Sequence, residues 1–280
     1  MKIIDAHVHY SQIASFQECA KHTSIVDYSK QGFLDETSVH DVVQSICMGL
    51  VEASPGAFPD ESAQMPMIAD LEADLPPGMS LCLGINPHTL TDRSMEKTEE
   101  MIKGNKKIVG MKIYAGYYHV DVADPIYKPV YDLAEKYDLT IVIHTGETYS
   151  SRGLLKYAHP LRIDDLAVAR SDMRIVACHM GAPWVFDACE IAAKNSNVYV
   201  DISGILVGND EYINRQASNP LFLDRYRQAL VFLDNYDKVL YGTDWPLAPM
   251  GVYIDFCKKL IPVESQEKVF FENAMRVYKL

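Results

Sequence analysis

Short apolar runs, many of them β-branched, recur along the chain and alternate with longer stretches in which apolar residues return every three or four positions. The runs predict eight strands, at 2–8, 43–50, 80–85, 108–114, 139–144, 174–179, 197–202 and 238–243. The stretches between them predict helices over 36–41, about 62–74, 92–104, 126–137, 161–170, 183–194, 220–234 and from 250 onward. Asp124-Pro125 marks one helix start, with Asp as N-cap and Pro in the first turn. Strands that are apolar throughout belong in a parallel sheet covered on both faces, and repeated strand–helix units are the mark of α/β architecture. Eight units favour a closed (β/α)8 TIM barrel over an open doubly wound sheet. An open sheet would place a glycine-rich turn after the first strand, where this chain reads HVHYSQ.

Length agrees with that reading: the 280 residues fit a single barrel domain spanning 1–280. Hydrophobic residues make up 48%, enough for a large core, and no linker or repeat divides the chain. The net charge of −12 argues against binding to nucleic acid or to an anionic membrane surface. No apolar run approaches the roughly 20 residues of a bilayer span, and the chain enters a strand without a signal-peptide pattern. The cysteines at 19, 47, 82, 178, 189 and 257 show no CxxC spacing. Buried free thiols and a cytoplasmic location are the expectation.

The chemistry sits at the strand ends. His7 and His9 are two apart in an extended chain, so both imidazoles face one side. The fourth strand carries Lys112, the fifth ends in His144, the sixth in His179, and Asp244 follows the eighth. In a barrel these positions converge on the C-terminal face, where active sites lie. Each has a plainer reading, as a hydrogen-bonded core histidine or a turn aspartate; together, histidines and a carboxylate make the shell of a divalent cation.

The motifs DAHVH at 5–9, GMKIY at 110–114, IVIHTG at 141–146, ACHMG at 177–181, YGTDWP at 241–246 and ENAMRVY at 272–278 give the chain a resemblance to the amidohydrolase superfamily. Within it the chain is similar to the branch of metal-dependent hydrolases and aminocarboxymuconate-semialdehyde-type decarboxylases. The resemblance implies that His7, His9, His144 and Asp244 hold one divalent metal ion, zinc first and manganese as the other choice. It implies that His179 stands beside the metal as an electrostatic or acid–base group. Lys112 is carboxylated and bridges two metals in binuclear relatives; here one metal and an unmodified lysine are expected.

On this reading Asp244 is the general base for a metal-activated water and His179 polarises a substrate carbonyl, giving hydrolysis of an amide, ester or lactone. The same groups support non-oxidative decarboxylation of a small aromatic or unsaturated acid, and a closed metal shell would make the barrel a non-catalytic binder. The expected partner is a small-molecule substrate, with homo-oligomerisation open. Substrate contacts are expected from Lys112, Tyr114, His119, Glu147 and Trp245, and from Arg152, whose planar fork suits a carboxylate. Asp5 is expected to turn away in a structural role. Residues 51–67, with three prolines and little periodicity, predict a long loop at the active-site end.

Overall fold

A computed structural model describes residues 1–69 and 75–280. Eight parallel strands form one sheet in sequence order: β1 (Ile3–Val8), β2 (Val42–Met48), β3 (Met79–Ile85), β4 (Ile108–Ile113), β5 (Thr140–Ile143), β6 (Ile175–Ala177), β7 (Val198–Asp201) and β8 (Val239–Leu240). Every predicted strand is present. The last is shorter than 238–243 because the chain leaves the β7 ladder after Leu240 and turns to β1. Ala6 N–H donates to Tyr241 O at 3.0 Å, Asp244 N–H to His7 O at 2.8 Å and His9 N–H to Trp245 O at 2.7 Å. These bonds bring the end of the sheet back against its beginning, and the fold is the expected (β/α)8 barrel.

The helices are α1 (Ala14–Cys19), α2 (Lys30–Val39), α3 (Asp92–Gly104), α4 (Lys128–Tyr137), α5 (Leu155–Ala158), α6 (Arg162–Ala169), α7 (Val185–Lys194), α8 (Asp210–Gln216), α9 (Pro220–Leu233), α10 (Met250–Leu260) and α11 (Asn273–Tyr278). Helix α2 begins six residues before the predicted 36–41. Ser29 is its N-cap, accepting from Gly32 N–H, and the stretch has too few apolar residues to show a period. The predicted helix at 62–74 is not found over 62–69, where Met67 instead pairs with Gly84; 70–74 lie outside the described residues. Asp124 does cap its turn, accepting from Ile126 N–H at 2.9 Å ahead of α4.

Alternation within the strands divides the core in two. Ile4, Ala6, Ile46, Met48, Val142, Val176 and Leu240 form one buried cluster, and their alternate neighbours Ile3, Cys47, Ile141, Ile143, Ile175 and Val239 belong to the larger cluster with the helices. Ala274, Val277 and Tyr278 of α11 pack against the first cluster. Thr140 Oγ1 and Arg174 Nε both donate to Val277 O, at 2.7 Å each, so α11 seals the end of the barrel where β5 and β6 begin. All six cysteines are free and buried. Among the described residues no helix is long and apolar enough to cross a membrane.

Asn273 joins this seal to β8. Its buried amide donates to Tyr236 O and Val239 O, both at 2.7 Å. Asn273→Ala removes both bonds, leaving Tyr236 O with the Val239 N–H alone, and is expected to cost about 1–3 kcal/mol. Thermal unfolding should show this as a drop of about 2–4 °C per kcal/mol, and an unchanged midpoint would remove Asn273 from the seal.

Candidate active site

The strand-end residues meet at the inner end of a cavity of about 560 Å³, within the usual size of small-molecule sites. His7 and His9 stand with ring centres 5.4 Å apart. Their Nε2 atoms lie 3.5 and 3.1 Å from the same atom, Asp244 Oδ1. His7 Nε2 and Asp244 Oδ1 are buried with no hydrogen-bond partner among the described residues. Burial holds His7 as neutral imidazole, its pKa pushed down to about 4, with Lys112 adding to the shift. Burial alone would raise Asp244; the adjacent His179, His7 and His9 outweigh it and hold the carboxyl far below its usual range.

Two further imidazoles complete the floor. His179 Nδ1 lies 3.1 Å from Ser203 O, and His144 Nε2 lies 3.0 Å from Glu147 O. Carbonyls only accept, so those nitrogens carry the protons. The remaining pair, His179 Nε2 and His144 Nδ1, then face each other 3.1 Å apart as two lone pairs. Burial, first, and then neighbouring positive charge hold His144 well below its ordinary pKa, and burial lowers that of His179. Facing lone pairs repel unless a cation stands near them. With the unpartnered His7 and Asp244 atoms, they form a nitrogen and oxygen donor set that suits a zinc-like divalent ion.

The backbone is bent to make this possible. His179 (φ 60°) and Asp244 (φ 65°) are both in the left-handed region that non-glycine residues seldom adopt. Gly204 passes so close that a Cβ there would lie 2.6 Å from both Asp244 Oδ2 and His179 Nδ1. Asp5 turns away, as expected: Thr243 donates to it from N–H at 2.9 Å and from Oγ1 at 2.6 Å. Burial pushes its carboxyl up to about 7.

Lys112, Tyr114 and Glu147 line the cavity. Lys112 is 1% exposed, and its ammonium donates to Cys178 Sγ at 2.9 Å, with no carboxylate within 4 Å among the described residues. Burial keeps the Cys178 thiol protonated, far above its ordinary pKa. Cys178 also falls in a second potential ligand group, with His7 and His179. A cation there would meet the Lys112 ammonium, so the group of His7, His9 and Asp244 is the better seat.

Three substrate-contact expectations are corrected. Trp245 is fully buried away from the cavity: its Nε1 donates to Glu36 Oε1 at 3.0 Å and its ring packs on Phe33, centres 5.0 Å apart. Arg152 is exposed and fastens the 51–67 loop, donating to Ala57 O at 2.7 Å and Phe58 O at 2.5 Å. His119 is exposed, bonded to Arg152 O at 3.0 Å and stacked on Tyr157. The loop itself is tied further by Glu52, which accepts from Ala14 N–H and Phe58 N–H.

The site also includes residues the sequence reading passed over. Phe16 from α1 packs on His9 with ring centres 4.5 Å apart, and Arg225 from α9 lines the cavity. Asp201, at the end of β7, is buried beneath the histidines and accepts from His7 Nδ1 at 3.0 Å. The sequence marks Asp201 only by its charge at the end of the apolar run VYVD, with no spacing that ties it to the histidines.

The family model described as Amidohydrolase matches residues 4–280. No curated protein matches the sequence. Among solved structures, the chain is similar to an uncharacterised TIM-barrel protein from Bordetella bronchiseptica, with a TM-score of 0.72 and 20% identity over 99% of this chain and 98% of that one. It is similar to a 2,6-dihydroxybenzoate decarboxylase from Rhizobium, with a TM-score of 0.68 and 15% identity over 100% and 99%. An amidohydrolase from Burkholderia multivorans with bound zinc gives a TM-score of 0.68 and 16% identity over 100% of both chains. At these identities the likenesses show the fold.

Gly204→Ala tests the tightness of the floor. It forces an alanine to φ near 58°, at a cost of about 1–3 kcal/mol, and pushes on both His179 and Asp244. The far-ultraviolet circular dichroism should be unchanged, with a lower unfolding midpoint and weaker zinc binding. Zinc affinity equal to wild type would show that the two side chains need not hold their places.

Proposed function

The chain belongs to the amidohydrolase family, and from that premise we propose that it is a metal-dependent hydrolase of a small molecule with an amide, ester or lactone-type bond. The reading rests on one observation: the buried, unpartnered His7 Nε2 and Asp244 Oδ1, with His9 Nε2 beside them, at the closed end of a cavity. His7, His9 and Asp244, with His144 beside them, would hold one divalent ion, zinc before manganese. When bound, such an ion is a Lewis acid that brings the pKa of a water toward about 7.

The chain's own groups do the rest. Asp244 stays ionised beside three imidazoles, so its carboxylate accepts a proton from the attacking water and returns it to the leaving group. His179 gives its Nδ1 proton to Ser203 O, so its Nε2 enters the reaction as an acceptor. It can polarise a substrate carbonyl only after taking up a proton, a refinement of the role expected from the resemblance. Phe16, Phe58, Tyr114 and Tyr117 form apolar walls that exclude water from a flat substrate.

A second reading, decarboxylation of a small aromatic or unsaturated acid, is favoured by Lys112. A buried ammonium whose hydrogen-bonding partner is a thiol offers two unused donors to a substrate carboxylate, in a cavity with aromatic walls.

Elemental analysis of the purified protein should find about one zinc or manganese per chain; two would revive a carboxylated Lys112, and none would contradict the reading. Asp244→Asn should keep its circular dichroism and lose about 10²–10⁴-fold in turnover on whichever substrate a screen of lactones, amides and aromatic acids yields. Turnover in ¹⁸O-labelled water separates the two readings. Hydrolysis puts the label in the product, whereas decarboxylation releases carbon dioxide from a substrate that takes up a proton.

A further inference from the structure

We propose that Asp201 is the positioning residue of this site, a carboxylate that touches no substrate but sets which nitrogen of His7 and of His179 presents its lone pair. Asp201 is fully buried and does not line the cavity. Its two oxygens face different partners. Oδ2 takes His7 Nδ1 at 3.0 Å. A carboxylate oxygen only accepts, so Nδ1 must carry the proton. That leaves the lone pair on Nε2, the atom aimed at Asp244 Oδ1 3.5 Å away.

Oδ1 gathers three donors: His179 N–H at 2.8 Å, Ser203 N–H at 3.1 Å and Ser203 Oγ at 2.5 Å. The first holds His179 in its left-handed backbone, at φ 60° and ψ 22°. The other two fix Ser203, whose carbonyl and hydroxyl oxygens both receive His179 Nδ1, at 3.1 and 3.0 Å. The His179 proton is therefore anchored on the Ser203 side, and Nε2 is turned toward His144. One carboxylate sets His7 directly, and sets His179 through its backbone and through Ser203. His144 is set separately, by its own bond to Glu147 O.

This lock has a specific chemical weakness. Asparagine has the same shape but only one acceptor oxygen and a donating NH₂. In Asp201→Asn the oxygen is claimed by the three donors on the His179 side, so the NH₂ faces His7. His7 Nδ1 must then accept, and its proton moves to Nε2, where it blocks the seat of the cation. A merely structural aspartate would give no such tautomer change.

The inference rests on the divalent-ion reading, but its first measurement is made without metal. Imidazole ¹⁵N NMR of the metal-free wild type should show His7 protonated on Nδ1; protonation on Nε2 would overturn the proposal without recourse to any variant. Asp201→Asn should shift the proton to Nε2 and weaken zinc binding, measured against a competing chelator, by about 10–100-fold. Ser203→Ala should leave the His7 tautomer as it is, while His179 Nδ1 loses the hydroxyl and keeps the backbone carbonyl as its acceptor. Unchanged tautomer and affinity in a folded Asp201→Asn protein would also overturn it. A wild type that shows the Nδ1 tautomer yet binds no zinc would contradict the metal reading alone and leave the lock standing.

Discussion

Two ionised carboxylates buried among imidazoles set the terms for the rest of this molecule. A buried charge is costly unless it is matched by hydrogen bonds or by an opposite charge. Asp201 is matched from within: four donors from His7, His179 and Ser203 converge on it. Burial works to raise its pKa, and these partners reverse that and hold it well below its usual range. Asp244 is left unfinished. One of its oxygens has no hydrogen bond, and burial holds the adjacent His7 and His179 below their ordinary pKa. A charge left unmatched in a desolvated floor is the physical definition of a cation site.

The barrel makes such an arrangement affordable by supplying the residues from separate, rigid strands. His7 and Asp244 are brought together by the backbone bonds that return the chain after β8 to β1. The left-handed turns at His179 and Asp244 carry strain, and each is braced, the first by Asp201 and the second by its own N–H bond to His7 O. Gly204 leaves the space that both need. At the far end, α11 closes the barrel, so the cavity opens on the side of the chemistry.

Much of this was legible in the chain. Strand periods are short and apolar, so all eight strands could be read, and parallel order at the C-terminal face brought His7, His9, His144, His179 and Asp244 to one floor. What failed was whatever depends on direction rather than spacing. Trp245 follows Asp244 directly, yet the chain turns through left-handed backbone at Asp244, and the Trp245 ring packs into the core on Phe33. Arg152 and His119 sit on loops whose paths no period encodes, and they bond to loop carbonyls. Helices α1, α5 and α8 are only 6, 4 and 7 residues long, too short to show a helical period. Asp201 was hidden by its neighbours: a lone carboxylate on a short strand carries no spacing signal, and its importance lies in what it accepts.

The most direct test is X-ray absorption at the zinc edge of the zinc-loaded protein. The account places the ion among His7, His9 and Asp244, so the first shell should consist of nitrogen and oxygen scatterers at about 2.0–2.2 Å and no sulfur. A sulfur scatterer at about 2.3 Å would move the ion to the group of His7, Cys178 and His179 and contradict the claim that the unmatched charge of Asp244 defines the site.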